Sequence, residues 1–289
     1  MDRESRSAAQ RFEATPLGGL EGGAPHLDRA RVFDGEVLLH GASVQSSLLS
    51  CIAAEHTARA FGCAPDELPR LHERWSAEDS WAATCAARKS LACDPRAIAA
   101  ALAVAESLGF ERRTLALDAP RLRVVEPYMH RRPSAARAFY AHRDTWYGCP
   151  RAQVNVWIPL FDVDERDSFA IYPAAFGAPI DNDSAAFDYA SFAGNGGFQS
   201  AGLITSTYPR ATTVPPGTPL HVRALAQQVV VFSPAHLHAT TPNETDHTRV
   251  SVDVRFVDLE EHACGVGADD VDNHSRGSAL VDYAIVGAP

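Results

Sequence analysis

The chain has 289 residues, of which 46% are hydrophobic and 21% are charged, and its net charge is −10 at pH 7. These values exclude a largely disordered protein, because a chain of this size and composition can bury a substantial core. The negative charge argues against binding to nucleic acid or to an anionic membrane surface, since both need a basic face, and no apolar run reaches the ~18 residues of a membrane-spanning helix.

The N-terminus and the cysteines indicate where such a protein would reside. The charged first residues, Met1 to Ser7, are not followed by an apolar segment, so we expect no secretory signal. The six scattered cysteines form no C-x-x-C pair, which argues against a zinc ribbon, and a chain of this length needs no disulfide bonds. We therefore expect a cytoplasmic protein with free thiols. We also expect it to be a monomer or a homodimer.

The N-terminal part is predicted to be a tail followed by helices. Residues 1–30 are rich in Arg, Ser, Gly and Ala and lack periodicity, which is typical of a mobile tail. Apolar residues then recur at helical spacing from Val44 to about Phe110. Within this stretch Asp94-Pro95 is typical of a helix start and Gly109 of a helix end. Residues 31–111 are therefore expected to form the helical flank of a single domain that extends over 31–289.

The chain changes character after Phe110, where short runs of Val, Ile, Thr, Phe and Tyr alternate with turn residues. Such runs predict strands and favour a β-sandwich or barrel over 112–258, followed by a C-terminal extension over 259–289. The stretch 177–202 is predicted to be a long loop, which in a compact domain is usually functional. The predicted strands cover 114–117, 122–126, 139–142, 153–159, 169–172, 228–232, 237–241 and 248–257.

The first candidate for chemistry is the tripeptide His142-Arg143-Asp144, at the end of the predicted strand 139–142. In an extended chain, residues i and i+2 point to the same face, so an imidazole and a carboxylate converge on a point that suits a first-row transition metal. The tripeptide His26-Leu27-Asp28 repeats the pattern, but it precedes every predicted strand and is not favoured.

A third ligand is predicted in the run from Val229 to Thr240. There a β-run leads through a turn into a short strand that carries His236 and His238 on one face, and either can supply the ligand. Two histidines and one carboxylate on one face, with open coordination positions, form the facial triad of non-haem Fe(II) oxygenases.

The strand 248–257 points Arg249, Ser251, Asp253 and Arg255 to one face and apolar residues to the other. An arginine inside a barrel needs an anion, because an unpaired buried charge is costly, and a carboxylate is its natural bidentate partner. A dicarboxylic cosubstrate could therefore chelate iron at one end and meet Arg249 and Ser251 at the other. A structural ion pair between Arg249 and Asp253 is the alternative.

In this order, His142-x-Asp144, His238 and Arg249-x-Ser251 resemble the motifs of Fe(II)/2-oxoglutarate-dependent dioxygenases, and most closely those of the phytanoyl-CoA dioxygenase-like branch. The resemblance covers roughly residues 112–258 and extends to the spacing of about eleven residues from His238 to Arg249. The segments 155–160 and 238–243 also look like the strand and the turn that follow the ligands in that branch.

The resemblance implies a double-stranded β-helix, or jelly roll, in a mainly β fold with flanking α-helices. It implies Fe(II) bound by His142, Asp144 and His238, and 2-oxoglutarate bound to the iron and, through its distal carboxylate, to Arg249 with the help of Ser251. The implied reaction uses O2, releases succinate and CO2 and oxidises a substrate C–H bond. Hydroxylation is the default, whereas desaturation, cyclisation and epimerisation use the same chemistry. Related halogenases lack the carboxylate ligand, so Asp144 argues against halogenation.

Further pocket residues are predicted from strand alternation and from proximity to the motifs. Cosubstrate contacts are expected from Gln153, Asn155, Trp157 and Thr240, and substrate contacts from Tyr140, Trp146 and Tyr147. For Arg121 and Arg123, a solvated position is favoured over contact with a substrate carboxylate.

The sequence therefore predicts an oxygenase that acts on a small molecule, such as an amino-acid-like or natural-product intermediate. A cupin-like dioxygenase or isomerase that uses no 2-oxoglutarate is the main alternative, and the pair His236 and His238 would suit it. A jelly-roll binding module without catalytic activity is a third possibility.

Overall fold

Helices cover one face of a large, mostly antiparallel sheet, and a small sheet covers the other. The computed structural model describes residues 14–15, 27–195 and 208–286. Its helices there are α1 (Arg29–Phe33), α2 (Val44–Phe61), α3 (Ala77–Ala92), α4 (Pro95–Ser107), α5 (Tyr189–Gly194) and α6 (Leu259–Ala263). Its strands there are β1 (Ala14–Thr15), β2 (Leu38–His40), β3 (Leu115–Val125), β4 (Gln153–Pro159), β5 (Phe169–Ile171), β6 (Leu220–His221), β7 (Val229–Phe232), β8 (His238–Thr240), β9 (Arg249–Asp258) and β10 (Ala284–Ile285).

The helical flank begins and ends at residues that satisfy the free backbone groups of helix termini. Helix α2 starts after Ser43, whose hydroxyl accepts a hydrogen bond from the Ser46 amide, and it ends at Gly62, whose φ of 60° is left-handed. Helix α4 starts after Asp94, as predicted. Asp28 caps α1, so this helix begins just inside the predicted tail, most of which lies outside the described residues.

The two sheets have the strand order of a jelly roll. The large sheet runs β1-β2-β7-β4-β9-β3-β10 and the small one β6-β5-β8. The long strand β9 pairs with β4 on one side and with β3 on the other, and all of these pairs are antiparallel. The sheets meet as a sandwich rather than as a closed barrel. This arrangement confirms the predicted mainly β fold with flanking helices.

Alternation along β4 sorts its residues between two layers. Val154, Val156 and Ile158 pack with the helices in the main hydrophobic core. The opposite face points between the sheets, where the ring of Trp157 lies 5.1 Å from that of Phe169 in β5. The interior of the sandwich is therefore lined by the alternate residues that the sequence pattern selected.

Three predictions differ from the structure. The predicted strands 114–117 and 122–126 are one strand, β3, with a register shift between Asp118 and Arg121. Pro133 begins a 3-10 helix over Pro133–Phe139, and His142 forms an isolated β-bridge with His238, so the predicted strand 139–142 is wrong. The stretch 177–202 is less irregular than predicted, because it contains a 3-10 turn over Ser184–Ala186 and helix α5. Residues 196–202 of that stretch lie outside the described part of the chain.

Two expectations from composition can be compared with the structure. Among the described helices, none is long and apolar enough to cross a bilayer. All six cysteines lie in the described ranges, and all six are free thiols.

Candidate metal centre

Three side chains converge between the two sheets: His142, Asp144 and His238. Their ligand atoms all lie within 4.8 Å of one another. The Nε2 atoms of His142 and His238 lie 3.6 Å and 3.9 Å from Oδ1 of Asp144. The described residues contain no other cluster of three such ligands. The donor set, two imidazoles and one carboxylate, suits a first-row metal with open coordination positions.

Backbone hydrogen bonds fix the relative position of the two histidines. The amide of each donates to the carbonyl of the other, both at 2.9 Å. Each Nδ1 also lies beside a backbone carbonyl, that of Tyr140 for His142 (2.8 Å) and that of His236 for His238 (2.9 Å). Because a carbonyl only accepts, both Nδ1 atoms carry the proton, and both Nε2 lone pairs are left for a metal.

Asp144 is oriented by donors to its second oxygen. Oδ2 accepts hydrogen bonds from Nδ2 of Asn155 (2.9 Å) and from Nε of Arg255 (3.4 Å), so Oδ1 faces the histidines. Burial acts to raise the pKa of Asp144, but the charge of Arg255 and the neighbouring histidines outweigh it and hold the pKa well below its usual value. Burial, followed by the charge of His142, lowers the pKa of His238 to about 4. The site thus presents an ionised carboxylate and a neutral imidazole at neutral pH.

The residue between the first two ligands points away from them. Arg143 is extended (φ −104°, ψ 143°), so its side chain points to the face opposite to His142 and Asp144. It is 1% exposed and lies 3.1 Å from Asp272. Its guanidinium also donates to three backbone carbonyls, those of Ala235, Ala175 and Ala178.

Asp272 links this buried ion pair to two other segments of the chain. Its carboxylate accepts hydrogen bonds from Nε1 of Trp146 and from the amide of Ile180. The network ties both ligand-bearing segments together, since Ala235 belongs to the turn before His238. Sequence reasoning missed Arg143 and Asp272, because Asp272 belongs to a segment without any motif.

A cavity of about 230 Å³ opens beside the three ligands. Its aromatic lining includes Trp157, Phe169, Phe232 and Tyr147. The ring of Phe169 lies 6.4 Å from that of His238 and 5.1 Å from that of Trp157. These rings form an apolar surface that runs from the candidate metal ligands toward Arg249.

Arg249 is a buried cation that lines the same cavity. One of its terminal nitrogens donates to the carbonyls of Ser168 (2.6 Å) and Asp167 (3.1 Å), whereas its Nε has no hydrogen-bond partner among the residues that the structure describes. Within the described part of the chain it forms no ion pair, because Asp253, the predicted alternative partner, pairs with Arg123 at 2.7 Å. Burial lowers the pKa of the Arg249 guanidinium to about 10.

The other residues predicted to contact the cosubstrate take several positions. Trp157, Thr240 and Asn155 line the cavity. Ser251 is fully buried and accepts a hydrogen bond from Nε1 of Trp157 (3.0 Å), so it supports the cavity wall instead of lining it. Gln153 is also away from the cavity and bonds to Asn155 and to the hydroxyl of Tyr283.

The residues predicted to contact substrate are divided in the same way. Tyr147 lines the cavity, with its ring 5.3 Å from that of His142. Trp146 is fully buried beside Ala175 and Leu237, which corrects its expected position as a substrate wall. The Tyr140 ring lies under the guanidinium of Arg210, at 4.6 Å, away from the cavity.

The remaining candidates are placed as follows. His236 is 1% exposed and its Nε2 lies 3.0 Å from the carbonyl of Gly35, so it does not join the three ligands. Arg121 is largely buried and pairs with Asp118, which corrects the solvated position predicted for it. Arg123 lines the cavity, but 38% of its side chain remains exposed. Of the tripeptide His26-Leu27-Asp28, Asp28 caps α1 and His26 lies outside the described residues.

The chain is similar to several solved structures at low sequence identity. A scan against models of known protein families finds no match, and a search of curated proteins finds none either. A similar solved structure is EvdO2 from Micromonospora carbonacea var. aurantiaca, with 16% identity, a TM-score of 0.39 and an alignment over 59% of this chain and 62% of EvdO2. EvdO2 has also been solved with 2-oxoglutarate.

Two other similar structures cover more of the chain. ThoJ, a non-haem monooxygenase solved as a nickel complex, has 15% identity and a TM-score of 0.40, with 75% of this chain and 70% of ThoJ aligned. AviO1 from Streptomyces viridochromogenes Tue57 has 17% identity and a TM-score of 0.40, with 81% of this chain and 97% of AviO1 aligned. The proposed function is therefore based on the residues of this chain's own site and not on these similarities.

Proposed function

We propose that this protein is an Fe(II)- and 2-oxoglutarate-dependent oxygenase that acts on a small molecule. The observation that carries the proposal is Arg249, a buried cation without an acidic partner in the described residues, in the cavity that also exposes the ligand atoms of His142, Asp144 and His238. A metal at one end and an unpaired guanidinium at the other are complementary to a dicarboxylate that also carries an oxo group.

The three ligands fit Fe(II) by donor type. Nε2 of His142, Nε2 of His238 and Oδ1 of Asp144 would supply three donors to one metal ion, and the cavity adjoins these three residues. When bound, iron would supply the redox chemistry that no amino-acid side chain of the site provides. Asn155 and Arg255 hold the carboxylate in place, and the backbone carbonyls hold the two imidazoles.

The cavity also fits 2-oxoglutarate by its distribution of polar and apolar groups. Arg249 would bind the distal carboxylate through the nitrogens that the Ser168 and Asp167 carbonyls leave free. Trp157 and Phe169 would cover the two methylene groups, since their rings line the route from His238 to Arg249. Ser251 contributes indirectly by holding the Trp157 indole.

The reaction we propose consumes one O2 and one 2-oxoglutarate for each substrate and yields hydroxylated substrate, succinate and CO2. One oxygen atom enters the substrate C–H bond and the other enters succinate, so the equation balances. The protein's part is to bind and orient the reactants and to exclude water from the aromatic-walled cavity.

The decisive test is an anaerobic titration of the protein with Fe(II) and 2-oxoglutarate, with detection of the visible metal-to-ligand charge-transfer band of the chelate. We expect a band that needs both components and that disappears in Arg249→Met at the same 2-oxoglutarate concentration. Arg59→Met, at an exposed arginine of α2, is the matched control and should keep the band. Metal binding without a band, or a band that persists unchanged in Arg249→Met, would refute the proposal. Screening of small molecules for coupled succinate release then identifies the substrate and tests hydroxylation.

A further inference from the structure

The part of the cavity formed by α3 and β3 has a charge that neither the metal nor the cosubstrate accounts for. We propose, on the basis of the function proposed above, that the substrate carries a carboxylate or phosphate group that Arg88 and Arg123 bind. Arg88 comes from α3 and Arg123 from β3, and both line the cavity together with Trp81 of α3.

A charge inventory of the cavity supports this inference. Five arginines line it, whereas only two acids do, although the whole chain has a net charge of −10. Arg255 lies between Asp144 and Asp118, and 2-oxoglutarate would neutralise Arg249. The lining arginines are Arg88, Arg123, Arg137, Arg249 and Arg255, and the acids are Asp144 and Asp253.

Arg88 remains without a counter-ion in the ranges that the structure describes. Its Nε donates to the carbonyl of Leu122 at 2.9 Å, but no carboxylate lies within ion-pair distance of its guanidinium. Arg123 is close enough to act on it electrostatically and has its own acid, Asp253. Burial, followed by the charge of Arg123, lowers the pKa of Arg88 to about 10. Two guanidiniums that share one acid leave one positive charge for a ligand to neutralise.

Aromatic rings hold the guanidiniums of this region in place before a ligand arrives. The guanidinium carbon of Arg88 lies 5.3 Å from the ring centre of Trp81, and that of Arg137 lies 5.1 Å from the ring centre of Tyr208. Stacking on an aromatic face leaves the edge of a guanidinium available for bidentate binding of an anion. Preorganised donors of this kind lower the entropy cost of binding.

The experiment is equilibrium dialysis of three probes against the full chain loaded anaerobically with Fe(II) and 2-oxoglutarate, so that the Arg249 position is filled. The probes are phenylacetate, phenyl phosphate and the neutral phenylacetamide. We expect at least one anion to bind about tenfold or more tightly than phenylacetamide, and the tighter anion identifies the group that the site prefers. In Arg88→Gln this preference should fall about tenfold, whereas the exposed control Arg59→Gln should keep it. Equal affinity for all three probes, or an anion preference that Arg88→Gln leaves intact, would overturn the inference.

A second variant and the charge-transfer band separate this inference from the proposed function. Arg123→Gln should weaken anion binding as Arg88→Gln does, so a folding defect in one variant does not decide the result. Arg88→Gln should keep the 2-oxoglutarate band, which Arg249→Met loses. Anion binding that depends on Arg88 in a protein without the band would refute the proposed function alone. A normal band without such anion binding would refute this inference alone.

Discussion

Replacement of Arg143 by methionine is expected to lower the free energy of unfolding by about 3–5 kcal/mol. Arg143 is buried, and methionine matches its apolar stem but donates no hydrogen bond. The substitution leaves the Asp272 carboxylate buried without its counter-ion. Two donors remain to it within the described residues, Trp146 Nε1 at 2.8 Å and the Ile180 amide at 2.9 Å. It also removes the donor from the carbonyls of Ala175, Ala178 and Ala235.

A second substitution separates the cost of the unpaired Asp272 carboxylate from the rest of the expected loss in stability. Adding Asp272→Asn to Arg143→Met replaces a buried carboxylate with a neutral amide, whose single oxygen can still accept one of the two remaining hydrogen bonds. We expect this to recover about 1–2 kcal/mol, because residues in one ion-pair network couple by about 0.5–3 kcal/mol. In the otherwise unchanged protein, Asp272→Asn alone should destabilise, since it weakens the partner of Arg143.

The assay is urea unfolding at neutral pH followed by circular dichroism, with the two single variants, the double variant and the exposed control Arg59→Met. The control should stay within about 0.5 kcal/mol of the unmodified protein. A loss below about 1 kcal/mol for Arg143→Met, or a double variant as unstable as the sum of the singles, would refute the reasoning that this ion pair secures the ligand-bearing segments.

Three further predictions concern the site and its surroundings. Asn155→Ala should weaken metal binding about 10–100-fold, because Asp144 loses an orienting donor; competition with a chelating dye measures this, and unchanged affinity would contradict it. Burial lowers the pKa of His40, whose ring nitrogens have no hydrogen-bond partner among the described residues. Stability should therefore be present above about pH 6.5 and be lost as the pH falls below it. His40→Leu should therefore lose less stability between about pH 6.5 and 5 than the unmodified protein, and equal losses in urea unfolding would count against this. Gly148→Ala should cost about 1–3 kcal/mol, because Gly148 has φ of 74° and a Cβ there would lie 3.0 Å from the carbonyl of Gly277; a melting temperature equal to that of the unmodified protein would contradict the strain.

Strand alternation made much of the site predictable. The alternate residues of β9 and β4 face the interior, which accounts for the placement of Arg249, Asn155 and Trp157 on the cavity. The two histidines and Asp144 also meet as predicted, because Arg143 is extended and keeps its neighbours on one face. Alternation predicts the direction of a side chain correctly wherever the backbone remains extended.

Alternation does not predict the direction of side chains where the chain turns. A 3-10 helix covers Asp144–Tyr147, so Trp146 no longer follows the alternation and points into the core. His236 lies in the turn before β8, where it bonds to the backbone of Gly35 and Ser233. Arg88 could not be predicted from its sequence position, because the docking of α3 against β3 brings it to the cavity, and docking depends on tertiary packing.

The candidate metal centre exists only in the folded chain, because paired backbone hydrogen bonds hold His142 and His238 together there. The two histidines are far apart in the sequence, and only the folded chain brings them together. A metal ion that binds both has no equivalent site in the unfolded chain, so its binding free energy is added to the stability of the fold. At a free metal concentration about one hundred times Kd, this linkage amounts to about 2.7 kcal/mol. The fraction of chains that remain folded, and hence their lifetime against proteolysis, would then follow the supply of iron around them.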